Sequence, residues 1–503
     1  MKKLSFALLL AFIFVSNLFA EQIIILHTND HHGRPLPFDY KGTVIGGLPA
    51  RATIVDSVRK HNENVLLLDC GDINDGLIES NLFDAEPDIK GYNYLKYDAM
   101  TLGNHEFYKS FEKLEKQKDM ATFPFLCANI FKKDNTYLAK PYVIIEKSSY
   151  KIGIIGLTTN STQYSAPLSI SSQLLFYDEV EIAQNIINAI KDSTDFIIAL
   201  THLGISDKPD YGAINLAKKI HGLNLIIDGH SHTYLDKPIW VKNSLSQDSV
   251  AVVQANCWGT HIGYAVIEIN NDIKKLVSWE AIPIVHNDKD DEFLISELLP
   301  FVYEAESIMG QVVGKSDKHY SSDEVRLKEN ELAQLSVDAM QWYFKDYKPD
   351  FCVTNGGGVR HFLNSGDIKK SDIYNIYPFD NHLSLVEISG NDIIKIIEKF
   401  VSDKIGTGGY LHFSSGFYIN VNSDKTIGEI RINNISIDAN KNYKVVTNSY
   451  LAGGGDAYKE FLNGKKLPIS TVFERDVVSE YIIQVLKGKI VLTAKPQLHY
   501  DLR

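Results

Sequence analysis

Cysteine is scarce in this chain of 503 residues: Cys70, Cys127, Cys257 and Cys352 are the only four. None stands in a CxxC pair, which excludes a zinc ribbon and a thioredoxin-type redox motif. An apolar run precedes three of them, so they read as buried free thiols, with Cys70 a packing residue rather than a nucleophile. Excess basic charge is also missing. There are 51 Lys and Arg against 63 Asp and Glu, a formal charge of −12. That disfavours sequence-independent binding to a nucleic-acid polymer, while leaving room for a local basic pocket for a phosphate. Beyond residue 20 no apolar run is long enough to span a bilayer. Internal repeats and low-complexity linkers are absent. What remains is ordinary globular composition, 44% hydrophobic and 23% charged, in a length that suits two or three domains.

Residues 1–20 form the exception. Lys2 and Lys3 precede the short apolar core LSFALLLAFIFV, and Ala20 offers a small residue before a cut. This is the pattern of a secretory signal peptide, with an uncleaved anchor as the alternative. No cysteine lies near the cut, which argues against a lipid-modified N-terminus. The expected mature protein is secreted, to the periplasm or outside the cell, with no membrane span.

From 22 to about 290, strand-like runs (22–28, 65–69, 98–102, 151–157, 195–200, 224–228) alternate with helix-length segments (48–61, 110–118, 178–191, 212–221). That alternation predicts an α/β layered domain over 21–290. A helix despite Pro300, within a linker over 291–314, leads to a second domain over 315–503. There, helices at 328–344 and 390–402 flank β-rich stretches and glycine clusters.

Five polar clusters follow strand-like runs in the first domain: Asp30 and His32; Asp72; Asn104 and His105; His202; His230 and His232. If the runs are parallel strands, these side chains converge at the carboxyl edge of one sheet. D-x-H and H-x-H in extended chain place both members on one side, and His31 and Ser231 on the other. Seven of these residues (Asp30, His32, Asp72, Asn104, His202, His230 and His232) are metal-ligand types. Seven ligands are too many for one catalytic metal and suit two, with Asp72 the best bridge because a carboxylate has two oxygens. Two metals about 3.5–4 Å apart can hold both a hydroxide nucleophile and a phosphoryl oxygen. His105, next to Asn104, can face the substrate for electrostatic stabilisation or leaving-group protonation.

In the second domain, NGGGVR (355–360) sets Asn355 and Arg360 around a glycine run that allows close backbone approach to a ligand. YLAGGGDAY (450–458) joins an aromatic, a tight turn and a carboxylate, which could stack a base and hold a ribose hydroxyl.

HTNDHHGR, GD, GNHEF, THLG and GHSH resemble the calcineurin-like metallophosphoesterase superfamily, and HTND with GNHEF resembles its 5′-nucleotidase family. The resemblance implies a four-layer β-sandwich flanked by helices, joined by a helix to a smaller α/β nucleotide-binding domain. It implies two divalent ions (zinc, manganese, cobalt or iron). One would take Asp30, His32, Asp72 and His232; the other Asp72, Asn104, His202 and His230. VRLKEN, NGGGVR, YPFDN and YLAGGGDAY resemble the family's C-terminal domain. They imply Arg326, Asn355 and Arg360 near the phosphate, Phe379 and Tyr450 as a base clamp, and Asp456 as the ribose contact. Two departures stand out. The family usually continues GNHEF with Asp, the partner of the catalytic His, and here Tyr108 follows. His232 stands where the best-known members carry Gln or Asn.

The expectation is an exported two-metal phosphohydrolase, monomer or homodimer, that attacks nucleoside 5′-monophosphates with a metal-bound hydroxide. The alternatives are a related activity of the family (2′,3′-cyclic phosphodiesterase, UDP-sugar or dinucleotide pyrophosphatase) or a non-catalytic nucleotide-binding surface protein. Retention of Phe379, Tyr450 and Asp456 argues against a sulfur substrate.

Overall fold

The computed structural model describes residues 21–500, apart from 41, 167, 207–210, 245–247, 271–272, 380, 404–405 and 468–471. The expected signal peptide lies outside the described residues. Among them, no helix is long and apolar enough to cross a membrane.

Side-chain alternation decides the layers of the first half. In Glu21–Thr28, Ile23 and Ile25 face one way and Ile24 and Leu26 the other. In Val65–Asp69 the same split separates Leu66 and Leu68 from Val65 and Leu67. Strands apolar on both faces must be covered on both. One face meets Ile152, Ile154, Ile198, Leu200, Leu225 and Ile227 of a second sheet. The other carries the helices Leu48–His61 and Glu86–Leu95. Beyond the second sheet, Ile155, Ile197, Ala199 and Ile226 pack on Glu179–Ile190 and Gly212–Lys219. The result is helix, sheet, sheet, helix: the expected four layers. Each fully buried Ile or Leu contributes about 1.5–3 kcal/mol to holding them together.

The clusters therefore do not share one sheet, contrary to the simplest expectation. Glu21–Thr28, Val65–Asp69 and Ala99–Thr101 run parallel in the first sheet. Tyr150–Thr158, Phe196–His202 and Leu225–Ile227 run parallel in the second. Periodicity cannot separate one sheet buried on both faces from two sheets that bury each other.

Helix Glu292–Met309 forms through Pro300 and packs on first-half helices and on Lys370–Ile376 of the second half. The second half centres on a sheet in the order Leu411–Phe413, Phe351–Asn355, Asn442–Asn448, Leu383–Ser389, Lys465–Leu467. Glu331–Tyr343 and Glu474–Gln484 cover one face; Gly390–Ser402 covers the other. All four cysteines are buried and unpaired.

Candidate active site

Each first-half cluster sits at or just past the carboxyl end of a strand. Asp30 and His32 follow Thr28, Asp72 follows Asp69, and Asn104 and His105 follow Thr101. His202 ends its own strand, and His230 and His232 follow Ile227. The paired ligands converge, but not by strand alternation. φ is 51° at Asp30, 47° at His32, 58° at Asp72, 76° at His230 and 53° at His232. Non-glycine residues rarely adopt this left-handed conformation. Here it turns the chain so that both members of each pair face the same place. His31 points away, as expected: its Nε2 donates to Asp88 Oδ1 at 2.9 Å.

Strained turns persist only where their surroundings over-determine them. Three buried carboxylates brace the segments around these turns. Glu106 accepts from the backbone N–H of Asp72 (2.9 Å), Ile73 (3.0 Å) and Gly103 (2.6 Å), tying two clusters together. Asp69 accepts from Thr28 Oγ1 at 2.6 Å and Gly71 N at 2.8 Å. Asp228 accepts from Thr201 Oγ1 at 2.7 Å and Leu203 N at 2.9 Å. Burial pushes Glu106 up to about 7, and Asp69 and Asp228 up to about 6. Sequence reasoning missed all three roles; their only signal was a place inside or beside the motifs. Gly103 is required because a Cβ there would strike Asp72 Oδ1.

The structure brings all seven sequence-selected ligands together. Donor atoms of Asp30, His32 and His232 lie within 4.8 Å of one another, as do those of Asp72, His202 and His230. His105 also falls within such a group, with His32 and Asp72. Asp72 Oδ2 lies 3.0 Å from His202 Nε2 and 3.7 Å from His32 Nε2, between the two sets. His32 Nδ1 donates to Asn74 O at 3.0 Å and His202 Nδ1 to Cys70 O at 2.7 Å. Each Nε2 therefore faces inward, its tautomer fixed as metal-binding imidazoles require.

The donor set suits divalent cations. His202 Nε2 faces Asp72 Oδ2 and, at 3.2 Å, Asn104 Oδ1. With Nδ1–H committed elsewhere, these are three acceptors, so a cation or a second ring proton must stand among them. Burial opposes charge on His202, but Asp72 and Asp30 outweigh it and hold its pKa up at about 10. The site demands positive charge at this point.

Several contacts concern the GNHEF departure. Tyr108 meets His105 ring to ring, with centroids 4.5 Å apart, but brings it no carboxylate; its hydroxyl accepts from Asn104 Nδ2 at 2.9 Å, turning Asn104 Oδ1 toward His202. The ring of Tyr108 also meets His382 of the second half, with centroids 5.6 Å apart. The carboxylate on His105 belongs to Asp75, whose Oδ2 accepts from Nδ1 at 2.9 Å. Sequence reasoning passed over Asp75.

In the second half, Arg326, Asn355, Arg360, Phe379, Tyr450 and Asp456 line one cavity of about 420 Å³. Asn381 and Gly408, which sequence reasoning missed, line it too. It lies beyond the carboxyl ends of the parallel strands Phe351–Asn355 and Asn442–Asn448. Phe379 is 42% exposed and Tyr450 46%. The Arg360 guanidinium lies over the Phe379 ring, 5.1 Å from its centroid. Asp456 accepts from Asn355 Nδ2 at 2.9 Å and from the Tyr450 hydroxyl at 3.1 Å.

Comparison with known proteins agrees with this division. Residues 23–234 match the model of the calcineurin-like phosphoesterases and 312–463 that of the 5′-nucleotidase C-terminal domain. A 5′-nucleotidase of Vibrio parahaemolyticus is 32% identical over 481 residues, 87% of this chain and 84% of that one. Protein UshA of Escherichia coli is 30% identical over 507 residues, covering 92% and 90%. The structure of the Haemophilus influenzae NAD nucleotidase aligns with a TM-score of 0.67 at 22% identity, over 96% of this chain and 99% of that one, which shows a common fold. This chain belongs to the 5′-nucleotidase family of hydrolases, with a calcineurin-like phosphoesterase domain followed by a 5′-nucleotidase C-terminal domain.

Proposed function

We propose that the protein is an exported 5′-nucleotidase that releases phosphate from nucleoside 5′-monophosphates. One observation carries this reading: a single chain holds a largely buried seven-donor cluster and a separate cavity walled by two exposed rings and two arginines. Asp30, His32, Asp72 and His232 would hold one divalent cation; Asp72, Asn104, His202 and His230 the other. Bound there, the pair supplies Lewis acidity and a water of lowered pKa. Zinc, manganese, cobalt and iron all suit mixed imidazole and carboxylate donors.

The chain's own residues do the rest. Phe379 and Tyr450 stack the base, and Asp456 receives a ribose hydroxyl. Arg326, Asn355 and Arg360 hold the phosphate or its surroundings. His105 Nε2 faces the cluster, where it stabilises the transferred oxygens or protonates the leaving oxygen. Among the described residues the two cavities share no lining residue. The reading therefore includes a rotation of one half on the other that carries the phosphate to His105. The sequence of residues 1–20 supports export.

Phosphate release from AMP, UDP-glucose and 2′,3′-cAMP, before and after chelation and metal add-back, tests this. AMP turnover lost on chelation and recovered on add-back is expected. No release from any of the three by metal-loaded protein would overturn the hydrolase reading; release from UDP-glucose or 2′,3′-cAMP alone would overturn the monophosphate one.

A further inference from the structure

We propose that Asp75 is the positioning residue for His105, supplying from the Asp72 loop the carboxylate that the family usually carries at position 108. The inference rests on the hydrolase reading of His105, but not on the identity of the substrate.

The geometry is specific. Asp75 has a side chain only 2% exposed, and its Oδ2 lies 2.9 Å from His105 Nδ1. A carboxylate only accepts, so Nδ1 carries the proton and donates. That bond sets the imidazole plane and directs Nε2 at the cluster, 3.9 Å from Asp72 Oδ2. Asp75 Oδ1 is buried and makes no hydrogen bond among the described residues. A buried carboxylate with one oxygen unsatisfied is a destabilising arrangement, retained where its partner needs it. The backbone agrees: Asp75 has φ 62°, in a loop whose carbonyls at Asn74 and Asp75 also meet His32 Nδ1 at 3.0 and 3.2 Å. One loop thus orients both His32 and His105.

The exchange also accounts for Tyr108. A carboxylate at 108 beside the one at 75 would place two negative charges around one imidazole. With Asp75 in place, position 108 is free for a phenol that holds Asn104 by its amide nitrogen. The departure from the family pattern is a transfer of the carboxylate to another loop, not a loss of it.

Asp75→Asn keeps the volume and removes the charge. At saturating metal we expect kcat to fall about 10²-fold, with KM and bound-metal content within about twofold of wild type. Tyr108→Asp alone should not raise kcat. Asp75→Asn combined with Tyr108→Asp should recover at least about tenfold over Asp75→Asn, because it returns the carboxylate to the other side of the ring. Full kcat in Asp75→Asn would overturn the proposal, as would activity lost only in proportion to metal. A double variant no better than Asp75→Asn would overturn the exchange. The same series run on 4-nitrophenyl phosphate separates this question from the nucleotide one: wild-type protein inert toward AMP would sink the nucleotidase reading while leaving the Asp75 comparison measurable.

Discussion

The two ligand-facing regions are built in opposite ways. The metal-type cluster is mostly buried, charged and carried on left-handed turns, with Asp30 and His202 fully enclosed and His230 and His232 partly exposed. The second cavity presents two aromatic rings nearly half exposed, between arginines and glycine-bearing segments. The first must hold donor atoms at fixed separations against mutual repulsion, and hydrogen bonds to Glu106, Asp69 and Asp228 lock it. On the proposed reading, the second needs flat surfaces that accept any base through its π face. On that reading, one region is braced because its chemistry is positional, and the other tolerates exposed rings because its chemistry is stacking.

Substitutions can break that contrast at either end. The largest effect is expected from Asp72→Ala, which removes the carboxylate lying 3.0 Å from His202 in one donor set and 3.7 Å from His32 in the other. Activity should fall by roughly 10³-fold or more, with metal lost as measured by elemental analysis; an active, metal-replete variant would refute a bridging role. Tyr108→Phe removes only the hydroxyl that restrains Asn104. Metal affinity, followed by competition with an indicator chelator, should weaken by about 10–100-fold, and unchanged affinity would show that Asn104 needs no outer support. In the open region, Tyr450→Ala should raise KM for AMP by about tenfold and spare kcat, in line with one lost stacking contact. Tyr450→Phe should change KM by less than about threefold; a large rise would mean that the hydroxyl on Asp456 matters more than the ring.

The smallest effect is common to both halves. Burial pushes His27 down to about 3 and His412 down to about 4. Both titrate near 6.5 when unfolded. With the folded pKa lower, their contribution is undiminished above pH 6.5. It declines as pH falls toward 4, where the unfolded chain binds protons that the folded one does not. Between pH 6.5 and 4 each accounts for on the order of 3 kcal/mol. Thermal melts of the metal-free protein should shift down by a few degrees over this range, and His412→Gln should flatten part of that shift. No change in pH dependence for His412→Gln would exclude His412 as a source.

Much of this was legible in the chain. Helices at 48–61 and 390–402 were placed to the residue, because their apolar spacing and flanking breakers are unambiguous. Helices Glu86–Leu95 and Glu474–Gln484 were missed. The first has Pro87 in its opening turn after a left-handed Ala85, and the second buries Glu474 and Arg475, which reads as a surface pattern. The seven ligand types and six cavity residues were selected from motifs alone. Asp75, Glu106 and Asp228 were not assigned roles, because a lone acid in a loop has no periodic signature. Their roles depend on which N–H or imidazole the fold sets beside them.

The sequence by itself determined the class of enzyme, a metallophosphoesterase-type hydrolase, since Asp, His and Asn at those strand ends are donors that divalent cations take. It also determined the two-part organisation, because strand and helix periods are local properties. The tertiary structure decided three things. It distributed the clusters over two sheets, because burial on both faces permits either arrangement. It made the ligand pairs converge through left-handed turns rather than strand alternation, because backbone strain is tolerated only where distant carboxylates hold it. And it brought Asp75 to His105 across 30 positions of sequence, a contact that a loop's three-dimensional path alone can create.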